Sequence, residues 1–382
     1  MKSNTHRRKK LFLAILPGIN HILEGRRRGG IALLSISIML LIISFFRWEQ
    51  IFFCLNSESI SLWSAPVFFF LICISCLTYS FIYVLRPEQI KDSNSKSISH
   101  IQFAIRRFSA NKMASSSAYL LLILFVTAFL SPILAPYDPY LIDDVINTRY
   151  LPPSLDHLFG TDALGRDLFS RALYGARISL SVGVLSVMIS ISLGTIYGAM
   201  AGFFGGIIDN ILMRLVDVII SFPVFFLMLM LIGIFQANLT ILILILGFTS
   251  WPGTARYIRG EILSLRERGF IESSRAIGLP SHLIIWRHLI PNALSPVLVS
   301  AALMVGGMIT AEAGLSFLGI GISPPTPSWG NMISGGQQAV FTGWWIAFFP
   351  GLLLTCTILC FNLLADGLRD ALDTKTLMRK YI

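Results

Sequence analysis

Long apolar runs separated by short polar intervals organise this chain. The runs cover 29–46, 62–85, 118–135, 178–201, 215–235, 239–252, 293–310 and 344–364. At ~1.5 Å rise per residue, about 20 apolar residues in a helix reach across the ~30 Å hydrocarbon core of a bilayer. The pattern predicts an all-α, polytopic membrane protein of about eight transmembrane helices, the shortest run being most of a span. The intervals carry the orientation. Arg7–Lys10, Arg26–Arg28, the stretch from Arg86 to Lys112, the stretch from Arg256 to Arg287, and Arg369–Lys380 are basic. Basic loops stay in the cytoplasm, so both ends are expected there. The interval 136–176 is acidic, with Asp138, Asp143, Asp144, Asp156, Asp162 and Asp167, and falls outside.

One interruption has its own pattern. Phe270, Ile271, Ser274 and Ile277 recur at helical spacing, which predicts a short helix burying that face while Glu272 and Arg275 stay wet. Gly278 supplies the freedom to end the helix and Pro280 forbids its continuation. Ser281 is then placed to cap a second short helix, 283–289, that stops before Pro291. The sixth span is expected to return to the cytoplasm at Arg256 and Arg259, and the region from Arg256 to Pro291 to be a cytoplasmic knob, held inside by Arg266, Arg268, Arg275 and Arg287.

Four further features bear on packing. Gly183, Gly194 and Gly198 allow close approach of helices. After the turn Gly202–Gly206, Asp209, Arg214 and Asp217 are expected near the cytoplasmic interface, since a charge at mid-bilayer costs ~2.5–3.5 kcal/mol. Arg214 is within reach of either carboxylate across one turn. Pro223 falls inside the fifth expected span and is a candidate kink or hinge. Glu312 is expected just beyond the seventh span, and an acid near the membrane is a functional candidate by default.

Composition excludes other classes. The 382 residues are 54% hydrophobic and 13% charged, against ~45–50% and ~25% in soluble domains. The net charge of +10 sits beside apolar runs rather than on a nucleic-acid-binding face. Four of the five cysteines, Cys54, Cys73, Cys76, Cys356 and Cys360, lie in apolar runs, which points to packing rather than metal or redox work. No lysine follows a glycine, so a Walker-type phosphate loop is excluded, and neither a His-Glu-x-x-His nor a Gly-x-Ser-x-Gly pattern occurs. The chain is not expected to be an enzyme, to hold a metal or cofactor, or to bind nucleic acid.

Three segments resemble one family. Glu272, the small Ser273 and Ser274, Gly278 six positions after the glutamate and Pro291 nineteen after it are similar to the EAA loop of type I ABC importer permeases, with serines for alanines and His288 where isoleucine is common. Phe159-Gly160-Thr161-Asp162-Ala163-Leu164-Gly165-Arg166-Asp167, continuing through Ser170–Leu180, resembles the second permease subunit of dipeptide, oligopeptide and nickel importers. So do Glu312–Gly321 and Pro324–Gly330. The resemblance implies an inner-membrane permease subunit of a binding-protein-dependent importer in a bacterial cytoplasmic membrane, with a six-span core from Ala118 onward. It implies as partners a second permease, two ATP-binding subunits that hold and split ATP, an external solute-binding protein and a peptide substrate. Phe270, Ile271, Glu272, Ser273, Ser274, Arg275, Gly278 and Pro291 would form the coupling loop. Glu272 and Arg275 would make polar contacts in the ATPase groove, and Phe270, Ile271 and Ile277 would bury. Gly160, Thr161, Asp162, Gly165, Arg166 and Asp167 would shape the external segment. For Glu312 the comparison favours a structural carboxylate bonded to backbone or serine at the outer edge. The expected organisation is a two-span extension at 1–99, a first core span with external segment at 100–176, the permease domain at 177–367 and a cytoplasmic tail at 368–382. Nickel or another small solute is the near alternative. A secondary transporter or channel is the distant one, and it wants paired intramembrane charges or broken helices.

Overall fold

The computed structural model describes residues 107–142, 144–235 and 238–372. The expected spans at 29–46 and 62–85, Cys54, Cys73 and Cys76, Asp143, the turn residues Gln236 and Ala237, and the tail beyond residue 372 lie outside the described residues. Within them the chain is helical, with no strand and a single isolated antiparallel bridge between Thr161 and Asp167. Five helices are long and apolar enough to cross a membrane, and a bent pair supplies a sixth crossing if counted as one span.

Capping chemistry sets most helix starts. Helix α1 (Lys112–Phe129) begins where the Asn111 side chain accepts from the Met113 and Ala114 amides, six residues before the expected start. After the short helices α2 (Ser131–Leu134) and α3 (Val145–Thr148), α4 runs Leu168–Phe204. Its cap is the Asp167 carboxylate, 2.7 Å from the Ser170 amide. The expected start at Ile178 is corrected by ten residues. Arg171 is no boundary, because it is buried and donates to the Pro139 carbonyl at 2.9 Å. Gly205, at φ 65, ends α4 and turns the chain into α5 (Gly206–Ser221).

The fifth expected span, 215–235, is not one straight helix. Helices α5 and α6 (Val224–Phe235) meet at Phe222–Pro223 with an 84° bend. Pro223 has no N–H to continue the ladder, so the kink foreseen there is a sharp corner. Helix α7 (Leu239–Arg266) starts at an Asn238 cap and continues through Pro252 well past the expected end of the span. Helices α8 (Gly269–Ala276) and α9 (Ser281–Leu283) lead through a π-helical turn, Ile284–Leu289, into α10 (Ile290–Phe317). Helix α11 (Trp329–Gln337) opens on a capping box of Ser328 and Asn331, and α12 (Trp345–Leu372) closes the described chain.

The long helices α1, α7 and α10 pack against α4. On α4, Gly194, Gly198 and Gly202 form a stripe at four-residue spacing facing α7. A Cβ on Gly194 would lie 2.5 Å from Thr254 Cβ, one on Gly198 would strike the Ala255 carbonyl, and one on Gly202 would lie 2.9 Å from Ile262 Cβ. The absent side chains let two backbones meet, and α4 and α7 pack as one body. The main core joins Leu180, Val182, Val187, Leu242, Leu246, Ile309 and Leu315, and a second core lies where α4 and α7 end.

Candidate coupling surface

The second core carries the knob. Ile271 of α8 and Ile284, Ile285 and Leu289 of the π-helical turn are buried against Ala199 and Phe203 of α4 and Ile258, Ile262 and Leu265 of α7. Each fully buried isoleucine or leucine contributes about 1.5–3 kcal/mol relative to exposure, so the knob is seated rigidly on the α4–α7 body. Two cations tighten the seat. Arg266 Nη1 donates to the Gly202 and Phe203 carbonyls at 3.3 Å, satisfying the end of α4. The Arg275 guanidinium lies 5.0 Å from the centre of the Phe203 ring.

Helix α8 ends in a Schellman motif. The Gly278 amide donates to the Arg275 carbonyl at 2.9 Å and the Leu279 amide to the Ser274 carbonyl at 3.1 Å, with Gly278 at φ 84. The small pair Ser273 and Ser274 bond back to the Gly269 and Phe270 carbonyls at 2.9 and 2.8 Å, and Ser274 is buried against the seat. The outward rim is Phe270, Glu272, Arg275, Ile277 and Trp286, with Ile277 81% and Trp286 61% exposed.

Several expectations about the knob are corrected here. It begins at Gly269, because Arg256 and Arg259 belong to the shaft of α7. Ser281 is the first residue of α9 and its side chain caps nothing. The second helix does not stop before Pro291. It widens into the π-helical turn and continues as α10, with Pro291 in that helix's first turn. The widened turn accommodates a residue without an N–H, and the Asn292 side chain takes up the His288 carbonyl at 2.6 Å. Of the face expected to bury, Ile271 and Ser274 are buried inside this chain, whereas Phe270 and Ile277 are exposed. Ile271 therefore holds the knob in place.

At the opposite end of α4 the signature segment folds on itself. Gly160 and Gly165 sit at φ 77 and 76. A Cβ on Gly160 would lie 2.5 Å from the Leu151 carbonyl oxygen, so both conformation and space require glycine there. Asp162 accepts from the Leu164 and Arg166 amides at 2.8 and 3.0 Å and from Arg166 Nε at 2.8 Å, and Arg171 Nε stands 3.6 Å away. The Thr161 hydroxyl donates to the Thr148 carbonyl and accepts from the Leu151 amide, while its own carbonyl accepts from Trp345 Nε1 at 3.2 Å. Asp167 lies 3.0 Å from His157 Nδ1 besides capping α4. These residues occupy one another.

Glu312 is placed inside α10 rather than beyond it, fully buried. It accepts from Ser179 of α4 at 2.9 Å and from Ser316 at 2.8 Å. Ser316 in turn accepts from the Ile322 amide at 3.0 Å, and Trp329 of α11 donates its ring N–H to the Ala172 carbonyl at 3.1 Å. The serine partners expected of Glu312 are present, and they tie α4 to α10. Among the described residues no group of three or more His, Cys, Asp or Glu side chains is placed to hold a metal ion.

Two pairings are not legible in the sequence. Asp209 is held by Arg259, and Asp217 by Arg256, both from α7. Arg214, the partner expected for them, takes neither. The sequence places Arg256 and Arg259 in the knob, and nothing in the spacing shows that α5 folds back along α7.

A bundle of membrane-length helices with a rigid, partly unsatisfied knob at one end defines a membrane permease component. Residues 194–378 match the binding-protein-dependent transport system inner membrane component, and residues 99–153 match the N-terminal TM domain of oligopeptide transport permease C. The chain is 40% identical over 297 residues to the dipeptide transport system permease protein DppC of Bacillus subtilis, covering 77% of this chain and 92% of that protein. It is 40% identical over 292 residues to the oligopeptide transport system permease protein OppC of Haemophilus influenzae, covering 75% and 93% respectively. It is also 41% identical over 272 residues to the glutathione transport system permease protein GsiD of Escherichia coli, covering 71% and 89%. The chain belongs to the family of inner-membrane permeases of binding-protein-dependent transport systems, which are transport subunits and not enzymes.

Proposed function

We infer that the chain forms, with a second permease subunit, the membrane path for dipeptides or oligopeptides, and that it couples this path to ATP hydrolysis through residues 269–291. Two ATP-binding subunits supply the hydrolysis, and this chain holds no cofactor of its own. An external solute-binding protein delivers the substrate to the end of the bundle that carries the Gly160–Asp167 segment. The knob end and both termini face the cytoplasm, as the basic intervals favour. The relatives named for dipeptides, oligopeptides and glutathione support a small peptide as substrate. In this reading 177–367 is the permease domain, 100–176 its first span and external segment, 368–382 a tail, and 1–99 an extension.

The observation that carries the reading is the contrast within the knob. Its inner face is buried on the α4–α7 body, while Phe270, Glu272, Ile277 and Trp286 project apolar and charged groups outward beside the exposed Arg275. An amphipathic rim on a rigid seat suits a groove on another protein. Movement of the knob would then carry α4 and α7 with it, so closure of the ATPase dimer shifts the population between two arrangements of the path.

The test is uptake of labelled dipeptide into proteoliposomes holding the complete complex and its binding protein. Uptake should require ATP and persist when ion gradients are collapsed. Uptake that survives without ATP and stops with the gradient would establish a secondary transporter instead.

A further inference from the structure

Helix α5 leaves α4 at Gly205 and lies beside α7 on a small apolar patch, to which its half-buried Met213 and Ile219 contribute. Val216 alone on α5 is fully buried, against Trp251 and Ala255 of α7. Ile207, Ile211, Leu215 and Val218 are exposed on its other side. Flanking Val216 on the attached face are two carboxylates, each held by an arginine of α7. Arg259 donates Nε and Nη2 to the two oxygens of Asp209, both at 2.6 Å. Arg256 Nη2 donates to Asp217 at 2.7 Å. The first pair is partly buried, with Asp209 14% and Arg259 32% exposed at the side chain, while the second is half in solvent. A two-pronged arginine–carboxylate contact is stronger and more directional than a single hydrogen bond, and an exposed pair contributes little. The Asp209–Arg259 contact therefore fixes α5 on α7.

The position of this contact gives it a role. Seven residues beyond Arg259 on the same helix, Arg266 holds the end of α4, and the knob follows at Gly269. On the other side, α5 ends at the 84° corner of Phe222–Pro223, beyond which α6 packs through Met228 and Ile232 into the main core. We propose that Asp209 and Arg259 are positioning residues of the transport cycle: the pair clamps α5 to the α4–α7 body, so that displacement of the knob is delivered to the bent α5–α6 segment at the Pro223 corner. This rests on the coupling reading above. The knob, α4, α7 and α5 travel together, and the corner absorbs the change of angle to α6. Without the clamp α5 swings free about Gly205, and ATP is split without moving the path.

The experiment uses the complete complex with its binding protein in proteoliposomes, measuring peptide uptake and ATP hydrolysis on the same vesicles. Asp209→Arg or Arg259→Asp alone should lower peptide moved per ATP about tenfold or more, as loss of a charged hydrogen-bonded pair warrants. ATP hydrolysis should stay within about twofold. The exchanged pair, Asp209→Arg with Arg259→Asp, should recover most of the ratio, and Arg256→Ala should lower it less than about threefold. If the reversed variants do not assemble, Asp209→Cys with Arg259→Cys, in a chain whose five native cysteines are replaced, gives the same reading. Joining the two thiols with a short reversible cross-linker should restore transport, and cleaving it should abolish it. Single reversals that transport at the wild-type ratio would overturn the clamp. So would an exchanged pair and a cross-linked pair that both remain uncoupled. A wild-type complex with no ATP-dependent uptake would overturn the coupling reading itself, and the clamp with it.

Discussion

Gly198 faces the Ala255 carbonyl with no space between, and that single position shows how narrow the tolerances are where helices meet. Gly198→Val should force α4 and α7 apart and cost about 1–3 kcal/mol, read as a fall in melting temperature of the detergent-solubilised chain. Gly233→Ala, where nothing lies within 4 Å, should leave the melting temperature unchanged. Glu312 is the second residue that separates mechanisms. Its carboxylate accepts from Ser179 and Ser316, and a structural bond of this kind tolerates an amide. Glu312→Gln should keep transport near the wild-type rate, whereas Glu312→Ala should destabilise the chain by about 1–3 kcal/mol by orphaning two hydroxyls. Abolished transport in an intact, stable Glu312→Gln protein would instead mark Glu312 as a working acid. Some of this was legible in the sequence. Glycines at four-residue spacing announce close packing, whereas a structural role for Glu312 came from the family resemblance, and its partner Ser179, 133 residues away, has no local signature. The partners of Asp209 and Asp217 were not legible, because pairing across 50 and 39 residues respectively depends on how α5 folds back.

Among elements, the knob is the best case for reading structure from sequence and also shows where the reading ends. Helix α8 and its stop were written in Gly278-Leu279-Pro280, since a left-handed glycine before a non-helical proline has few solutions. The π-helical turn Ile284–Leu289 has no such signature, because it differs from an α-helix only in which carbonyl each amide meets. Pro291 read as a stop because proline is equally at home after a helix and in its first turn. Pro223 read as a kink, but the 84° corner depends on the attachment of α5 and α6 to different parts of α7. Gly278→Val should strain the left-handed position by about 1–2 kcal/mol. It should lower peptide uptake several-fold while the amount of inserted protein stays constant on an immunoblot of membranes. Ile271 and Ile277 give a paired test of which face is outward. Ile271→Asp should unseat the knob and lower the melting temperature, while Ile277→Asp should leave the melting temperature alone and weaken only attachment of the ATP-binding subunit. The reverse pattern would turn the knob inside out.

For the whole molecule, apolar run length and loop charge identified the class, because a bilayer sets helix length and excludes charge almost regardless of sequence detail. Span starts moved by as much as ten residues, since caps such as Asn111 and Asp167, rather than hydropathy, begin the helices. What unites the parts is a knob at one end of the bundle, seated on α4 and α7, which we propose is gripped by a separate ATP-splitting protein. The most direct measurement is site-directed cross-linking in the assembled complex. Ile277→Cys and Trp286→Cys, placed on the rim, should each form an adduct with the ATP-binding subunit, and Leu155→Cys, 94% exposed near the other end of α4, should form none. Absence of the adduct at both rim positions, or an equal adduct at Leu155→Cys, would contradict the account.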